Sequence, residues 1–396
     1  MHTAAVICEF DPLHRGHRHL LDEARRAGAE RIVCVMSGDF TQRGEPAALS
    51  SHTRAEMALA AGADLVLELP FPYSCGSAEF FAHGAMSVIA GLGGVDTLVF
   101  GCESGDARAL CEAAARTMSA EFANEYENMS KEHTSLGTAA VVESVYARLY
   151  SSTEIFRGAN NVLAIEYIKA AHRLGLSLSY HAVSRRGAGH GEMREVEGYV
   201  SASFLRKKMH GSPREIEAYL PAECREAAMR ELSAMRSPAR LENIESAILC
   251  HYRLGQADGG TAESAGGLGR RLERAALCSD DYASLIENAK TKKYTDARLR
   301  RAIVYSLCGV QESDLKANVS YTTLLGAGER GRALLGERKK TRTLAIVSSP
   351  RELSGLSGEA CRARTLRERA AHLRALCTDS RKPTAPSTML RAVIVK

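Results

Sequence analysis

The residues best suited to chemistry form a His-x-Gly-His tetrad near the start of the chain, with His14 and His17 at its ends. The tetrad follows an apolar run at residues 4–8, which predicts a buried strand, and a polar turn at residues 9–12. A helix that starts at such a turn presents free N–H groups and a partial positive charge to a phosphate. Gly16 lets the backbone approach a nucleotide without a Cβ. Two imidazoles one turn apart can donate hydrogen bonds to an α-phosphate under attack, so the tetrad indicates nucleotidyl chemistry.

The elements that must position the tetrad alternate between strand and helix over the first hundred residues. Four apolar runs predict strands, at residues 4–8, 31–36, 65–69 and 97–100. Strand and helix in alternation predict an α/β fold, Rossmann-like, with a parallel sheet covered on both faces. Ligands bind beyond the carboxyl ends of the strands in such sheets. Three polar, glycine-bearing turns are predicted to lie there, at residues 9–17, 37–46 and 101–105. This setting favours a functional tetrad over the alternative of two surface histidines without a ligand.

The composition changes after residue 212, where Ala-, Leu-, Glu- and Arg-rich segments with few β-branched runs predict helices. A chain of 396 residues exceeds what one core usually organises. We therefore expect a catalytic domain at residues 1–212 and a mostly α-helical C-terminal region at residues 213–396. Between Lys292 and Arg342 the chain carries 12 Lys and Arg against 5 Asp and Glu, although its net charge is only +5. This basic segment predicts a nucleic-acid backbone surface, and a solvated helix face is an equal alternative on charge alone.

The overall composition predicts a soluble, cytoplasmic protein with no membrane segment. Apolar residues make up 45% of the chain and charged residues 25%, and acidic residues interrupt the longest apolar runs. The N-terminus lacks the basic and apolar regions of a signal peptide. The 11 cysteines are scattered, odd in number and free of CxxC pairs, which predicts buried thiols rather than disulfides or a zinc site. Apart from the tetrad, whose histidines are assigned to phosphate, no HxxH or HExxH pattern occurs, so we expect no metal site built by the protein.

Seven further stretches carry a resemblance to a known family, because they occur in a shared order. They are Met36–Ala47, Arg54–Leu59, Gly62–Pro70, Phe100–Ser104, Gly158–Tyr167, Arg185–His190 and Ser201–Arg206. With the tetrad, they resemble the HIGH-motif nucleotidyltransferase superfamily and, within it, the bacterial tRNA(Met) cytidine acetate ligase family. The resemblance is strongest over residues 5–105 and 156–206. It implies a ligase that uses ATP and acetate to form acetyladenylate and then acetylates the wobble cytidine of elongator tRNA(Met) to 4-acetylcytidine.

The same resemblance implies the binding residues. His14 and His17 would meet the phosphates of ATP, and Mg²⁺ would arrive with ATP, held by phosphates and water. The implied ATP site comprises Ile7, Cys8, Glu9, Phe10, Asp11, Pro12, Leu13, His14, Arg15, Gly16, His17, Arg18, His19, Leu20, Gly101, Asn161 and Arg185. An Asn side chain suits adenine or ribose, and an Arg side chain suits a phosphate. The candidate tRNA-backbone contacts are Lys292, Lys293, Arg298 and Arg301, and DNA is not an expected partner.

Three positions depart from the family pattern. Relatives commonly have Asn where this chain has Asp11 and Arg15, so a carboxylate and a guanidinium are added beside the phosphate site. Many relatives have Lys where this chain has Ser51. If that lysine contacts phosphate or acetate, we expect Arg15 or His52 to substitute for it, or turnover to be lower.

Two other functions fit part of the pattern. A small-molecule adenylyltransferase of the cofactor-synthesis type shares the tetrad, but such enzymes generally end near the α/β domain. A non-enzymatic RNA-binding protein would keep the basic helices without needing the tetrad. A class I aminoacyl-tRNA synthetase is disfavoured because no KMSKS-like lysine loop follows the sheet. The roughly 180 residues after the α/β domain, with the basic segment, favour the tRNA ligase, and ATP–pyrophosphate exchange with and without acetate would discriminate among these functions.

Overall fold

The computed structural model describes residues 1–134, 136–185, 199–234, 237–256, 260–380 and 392–395. The strands are β1 Thr3–Cys8, β2 Arg31–Ser37, β3 Leu65–Leu69, β4 Thr97–Cys102, β5 Ser179–Ser184, β6 Tyr321–Ala327, β7 Ala345–Val347 and β8 Val393–Ile394. The helices up to the middle of the chain are α1 Arg15–Arg26, α2 Ser51–Ala60, α3 Ala78–Leu92, α4 Ala107–Thr117, α5 Ala120–Glu132, α6 Thr138–Tyr150, α7 Ala159–Arg173 and α8 Ala202–Gly211. The later helices are α9 Arg225–Ser233, α10 Glu245–Arg253, α11 Leu268–Leu277, α12 Tyr282–Ala289, α13 Asp296–Cys308, α14 Glu312–Lys316, α15 Glu329–Arg338, α16 Pro350–Ser354 and α17 Glu359–Leu376.

One sheet organises the molecule, with the strand order β5-β4-β1-β2-β3-β6-β7 and with β8 paired to β6. The strands from β5 to β3 run parallel, and their carboxyl ends meet at one edge. All four predicted strands are present, because their apolar runs are buried on both faces as parallel strands require. The predicted α/β fold with a parallel sheet and a largely helical C-terminal region is confirmed.

The chain returns to the sheet after residue 320, which the sequence analysis did not predict. Strand β6 pairs antiparallel with β3, and β7 and β8 then pair with β6. Residues of the C-terminal half therefore complete the sheet that the N-terminal half begins. The division of the chain at residue 212 stays a prediction, since the sheet draws on both sides of it.

The helices of the C-terminal half have their own core, and that core continues into loops at the carboxyl edge of the sheet. Leu272 of α11, Leu285 of α12 and Ile303 of α13 are fully buried in it. Phe40 and Phe71, which follow β2 and β3, are buried in the same cluster. The helical half thus packs directly on the loops that surround the carboxyl ends of the strands.

A buried arginine on α2 joins the ends of β1 and β2. The guanidinium of Arg54 donates to the carbonyl oxygens of Glu9 at 2.6 Å and Ser37 at 3.0 Å, and also to that of Gly38. It donates to a fourth carbonyl, that of Leu49, at 3.0 Å. The side chain is completely buried. Burial lowers the pKa of Arg54, whereas the charge of Asp11 raises it. The strand ends are therefore fixed by one cation that replaces solvent at four carbonyl groups.

We expect Arg54→Met to destabilise the protein by about 3 to 5 kcal/mol, because it leaves the four carbonyls buried without donors. The matched control is Arg230→Met, since Arg230 of α9 forms an exposed ion pair with Glu56 of α2, the helix that carries Arg54. That pair should contribute less than about 1 kcal/mol. Denaturant unfolding of both variants measures the difference, and equal losses would contradict the role given to Arg54.

Candidate active site

A cavity of about 240 Å³ lies at the carboxyl edge of the sheet, above β1 and β4. The N-termini of three helices contribute to its wall: α1 through His14 and Gly16, α7 through Asn160, and α8 through Ser201 and Ser203. Ser201 caps α8, where its hydroxyl accepts a hydrogen bond from the Phe204 N–H at 3.1 Å. Helix N-termini carry partial positive charge and unpaired N–H groups. Three of them around one cavity make it suited to a polyphosphate.

The turn between β1 and α1 holds the tetrad in a fixed shape. The Nδ1 atom of His14 accepts a hydrogen bond from the Gly16 N–H at 3.0 Å, and the Nδ1 atom of His17 accepts one from the His14 N–H at 3.3 Å. The two rings stack with their centroids 3.8 Å apart. A Cβ on residue 16 would lie 2.9 Å from His14 Cε1, which explains the glycine. Because both Nδ1 atoms accept, each neutral ring carries its proton on Nε2 and can donate there.

The residue before this turn is conformationally strained. Phe10 has a φ of 49°, in the left-handed region that bulky residues rarely adopt. Its ring is fully buried and packs against the ring of His17, with the centroids 5.0 Å apart. Buried packing therefore holds a strained backbone directly beneath the tetrad, as is common at functional sites.

Both histidines are neutral at physiological pH. Burial lowers the pKa of His14 to about 3, and the charges of Arg185 and Arg206 act in the same direction. Burial also lowers the pKa of His17 well below its usual value; His14 and the same two arginines add to the effect, whereas a hydrogen bond to the Pro12 backbone opposes it. The two rings therefore offer hydrogen-bond donors to an anion, while the arginines supply the positive charge.

Arg206 of α8 is the cation that the structure ties most closely to the tetrad turn. Its guanidinium donates to the Asp11 carbonyl oxygen at 2.8 Å and to Ser203 Oγ at 3.2 Å. It also lies 3.8 Å from Asp11 Oδ2 and 3.5 Å from Glu45 Oε2. Arg206 and Arg43 both line the cavity, and the sequence analysis selected neither. The Ser201–Arg206 stretch could have indicated Arg206. A serine that caps a helix marks a helix N-terminus that can bind an anion, and an arginine in the next turn can reach the same anion.

Twelve of the residues expected at the ATP site line the cavity. They are Ile7, Cys8, Glu9, Phe10, Asp11, His14, Gly16, His17, His19, Leu20, Gly101 and Arg185. Pro12, Leu13, Arg15, Arg18 and Asn161 are not part of its lining. Leu13 is buried in the core. Arg18 is paired with Asp22 at 2.9 Å and with Glu223.

Asn161 lies beneath the site rather than in its wall. Its Oδ1 atom accepts hydrogen bonds from the N–H groups of Glu103 at 3.0 Å and Ser104 at 3.1 Å. Its amide nitrogen donates to the Arg157 carbonyl at 3.1 Å. The side chain thus orders the turn after β4 and the start of α7, and the neighbouring Asn160 reaches the cavity instead.

The residues expected to replace a missing lysine are directed elsewhere. Arg15 is exposed and donates to the Ala218 carbonyl oxygen at 2.9 Å. Ser51 is buried on α2, and neither it nor His52 lines the cavity. Their placement gives no support to a phosphate contact by Arg15 or His52.

The four candidate tRNA contacts fall into two groups. Lys292 and Lys293 lie in the turn before α13, where Lys293 Nζ donates to the Thr134 carbonyl oxygen at 3.0 Å. Arg298 and Arg301 both pair with Glu263, at 3.1 Å and 2.8 Å. The side chain of Arg301 is only 12% exposed, so this arginine has a structural partner and little open surface.

The backbone of α13 also packs against the loop that follows β2. Gly44 has a φ of 75°, and a Cβ there would lie 2.5 Å from the backbone nitrogen of Arg301. Arg300 donates to the Arg43 carbonyl oxygen at 3.1 Å and lies 3.6 Å from Glu45. This helix therefore positions the loop that carries Arg43 and Gln42 into the cavity wall.

Two features are absent from the described ranges. No three His, Cys, Asp or Glu side chains among these residues come together as ligands for a metal ion. Mg²⁺ bound with ATP stays a prediction. None of the helices described above is long and apolar enough to cross a membrane.

Comparisons with known proteins agree with this geometry. The chain matches the family described as HIGH Nucleotidyl Transferase over residues 1–385. The tRNA(Met) cytidine acetate ligase of Syntrophotalea carbinolica is 35% identical over 368 residues, which cover 88% of this chain and 85% of that protein. The ligase of the same name from Caldanaerobacter subterraneus is 31% identical, with 88% of each chain covered. This chain belongs to the tRNA(Met) cytidine acetate ligase family.

Solved structures show the same relationship in three dimensions. The crystal structure of apo Thermotoga maritima TmcAL matches this fold with a TM-score of 0.92 and 27% identity, over all of both chains. The TmcAL structure bound with alpha-thio ATP matches with a TM-score of 0.90, over 100% of this chain and 99% of that one. The family that the motifs indicated is confirmed. A tRNA ligase is therefore favoured over a small-molecule adenylyltransferase and over a non-enzymatic RNA-binding protein.

The lowered pKa of His14 predicts a pH-dependent stability. Between about pH 3 and 6.5 the unfolded chain binds a proton at His14 that the folded protein excludes, so stability falls as the pH is lowered through this range. At pH 5 the loss amounts to about 2 kcal/mol. Guanidinium unfolding of His14→Gln should therefore show a smaller loss of stability from pH 7 to pH 5 than wild type, by about that amount. Identical losses would show that His14 is not buried in its neutral form.

Proposed function

We propose that this enzyme uses ATP to activate acetate as acetyladenylate and then acetylates the wobble cytidine of elongator tRNA(Met), giving 4-acetylcytidine. The observation that carries the proposal is the convergence of the α1 and α8 N-termini, with His14, His17 and Arg206, on one cavity. The names of the relatives and the ATP analogue bound to TmcAL support it. A tRNA substrate is consistent with the cytoplasmic location expected from the sequence.

In the first half-reaction, the N-termini of α1 and α8 hold the phosphates of ATP. Gly101, at the end of β4, leaves room beside Arg185 for the nucleoside. An acetate oxygen attacks the α-phosphorus, and pyrophosphate leaves. The Nε2–H groups of His14 and His17 donate to the α-phosphate oxygens as negative charge develops there. Mg²⁺ bound with ATP would neutralise part of the phosphate charge.

The reaction is tested directly with purified enzyme, ATP, labelled acetate and tRNA transcripts. ATP–pyrophosphate exchange should depend on acetate, and nuclease digestion followed by mass spectrometry should locate the acetyl group at the wobble cytidine of elongator tRNA(Met). Initiator tRNA serves as the control substrate. ATP–pyrophosphate exchange that does not depend on acetate, or that depends only on a different small acid, would contradict the proposal.

We expect His14→Ala and His17→Ala each to lower the adenylation rate by about 100-fold, or roughly 3 kcal/mol, because each removes a donor used mainly in the transition state. ATP affinity should fall much less than the rate. The control variants His14→Gln and His17→Gln keep an N–H donor and should retain more activity than the alanine variants. Near-normal exchange by the double alanine variant would contradict the assignment.

The basic segment divides into two surfaces in the structure. Residues 292–301 form the first surface, in which Arg300 and Arg301 contact the loop of Gln42 and Arg43 at the cavity and Lys293 contacts Thr134. Residues 338–342 lie at the opposite edge of the sheet, where Arg338 packs over Gly94 before β4. We assign the tRNA backbone to the first surface, with Lys292 and Lys293 as the contacts. Arg298 would contact tRNA only while it also pairs with Glu263. Arg301 acts chiefly by holding α13 in place.

We expect Lys292→Ala/Lys293→Ala to keep acetate-dependent exchange and to bind tRNA more weakly. The slope of log K against log salt concentration should decrease by about 0.7 to 0.9 for each phosphate that the variant no longer neutralises. The comparison variant is Arg301→Ala, which should lower thermal stability because it leaves Glu263 without this partner. Filter binding over a salt series measures the slopes. Unchanged tRNA binding by a well-folded double variant would show that these lysines are solvated side chains near the start of α13 and do not contact tRNA.

A further inference from the structure

The cavity contains a carboxylate that phosphate binding does not explain. Glu9 follows β1 directly and lines the cavity. Its Oε1 atom accepts a hydrogen bond from the Gln42 N–H at 2.7 Å, and its carbonyl oxygen is held by Arg54. Within the described part of the chain, Oε2 of Glu9 has no hydrogen-bond partner. A fixed carboxylate opposes the binding of both ATP and acetate, so its presence points to a different step.

The second half-reaction has a requirement that the first does not. When the exocyclic amine of cytidine attacks the acetyl carbon, the nitrogen must lose a proton to give the amide. The leaving group is the phosphate of AMP, which departs as a stable anion without an acid. A base near the acetyl group is therefore the one proton-transfer role that this step needs from the protein.

Five other ionisable groups of the cavity wall are poorly placed to accept this proton. The Nδ1 atoms of His14 and His17 already accept backbone N–H groups, so their remaining ring nitrogens are donors. Asp11 is 1% exposed; its Oδ1 atom accepts from the Ala48 N–H at 2.7 Å, and its Oδ2 atom faces Arg206. Burial raises the pKa of the Cys8 thiol and of the Tyr167 hydroxyl, which keeps both protonated.

We propose that Glu9 is the general base of acetyl transfer, and this inference rests on the function proposed above. The amine nitrogen forms a bond to the acetyl carbon, and the bond from that carbon to the phosphate oxygen of AMP breaks. The electron pair of the broken bond leaves with AMP. The proton from the amine passes to the Glu9 carboxylate and then to solvent.

The surroundings of Glu9 suit a base. Burial raises its pKa, while the Gln42 N–H and the positive charges of Arg206 and Arg43 lower it and the charge of Asp11 raises it. A raised pKa makes the carboxylate a stronger base than an exposed glutamate. The ionisable groups that interact with it are Cys8, Asp11, Arg43, Arg54, Cys75, Tyr167 and Arg206. Transfer should therefore accelerate as the pH rises through a carboxyl pKa above the usual value of 4.5 and then level off.

The test is Glu9→Gln, which keeps the size of the side chain and removes the base. Acetate-dependent ATP–pyrophosphate exchange should fall much less than acetyl transfer, because the amine proton is lost only in the second half-reaction. The single-turnover transfer of acetyl from chemically prepared acetyladenylate to elongator tRNA(Met) should fall by about 100-fold. The rise of the transfer rate with pH should disappear in this variant. Glu9→Asp, which retains a carboxylate, should recover part of the rate, and Glu127→Gln on the exposed face of α5 is the matched control.

Three results would overturn the inference. Unchanged transfer by Glu9→Gln would show that no base is needed at this position. Equal loss of exchange and transfer, together with a lower melting temperature, would show that Glu9 only supports the turn. Loss of exchange that higher Mg²⁺ restores would make Glu9 a cation ligand. Failure of the proposed function is a separate outcome, because wild-type enzyme would then not acetylate tRNA from acetyladenylate at all.

Discussion

The structure of the site depends on one buried cation beneath it. Parallel strands leave their last carbonyl groups at the carboxyl edge, where water would normally hydrogen-bond to them. Here the loops and the helical half cover that edge, and the guanidinium of Arg54 replaces water at Glu9, Ser37 and Gly38. The same arginine therefore sets the spacing between the turn after β1 and the turn after β2. The tetrad belongs to the first turn and Arg43 to the second, so both walls of the cavity depend on Arg54.

The C-terminal half stabilises the same loops from outside. Arg374 of α17 donates to the Ala47 carbonyl oxygen at 2.9 Å, and Arg367 of the same helix pairs with Glu68 of β3 at 2.6 Å. These arginines are seven residues apart, which places them on one face of the helix. With Arg300 at the Arg43 carbonyl, they place three basic side chains of the C-terminal half against the catalytic edge. Such a buried pair adds little net stability over a well-packed apolar replacement, but removal of one partner leaves a buried charge uncompensated and is strongly destabilising.

Most of the N-terminal half could be predicted from the sequence, because buried parallel strands are continuous apolar runs and the tetrad has a short, rigid pattern. Strand β5 was missed because it lies at the edge of the sheet, where only Val183 is buried and its residues lack an apolar run. Strand β6 was missed because its partner β3 lies about 260 residues earlier in the chain, and the short strands β7 and β8 pair with β6. Sequence pattern also could not distinguish Asn160 from Asn161, since their roles depend on which amide the turn after β4 engages. The role of Arg206 could not be predicted from the sequence either, because its hydrogen bond to the Asp11 carbonyl joins residues that are far apart in the chain.

The two proposed half-reactions place opposite electrostatic requirements on this cavity, and different side chains of its wall meet them. In the proposed reaction, adenylation needs donors and positive charge where the phosphates would lie, and the neutral histidines of the α1 N-terminus and Arg206 of α8 would provide them. Charged histidines would bind the ground-state phosphates tightly, whereas neutral ones gain most when charge develops on the α-phosphate. Acetyl transfer instead needs an acceptor for a proton, and Glu9 stands where the turn after β1 meets Gln42 of the turn after β2. Arg54 hydrogen-bonds to the backbone at the start of both turns, so in the proposed reaction one buried cation would position both the proton acceptor and the donors.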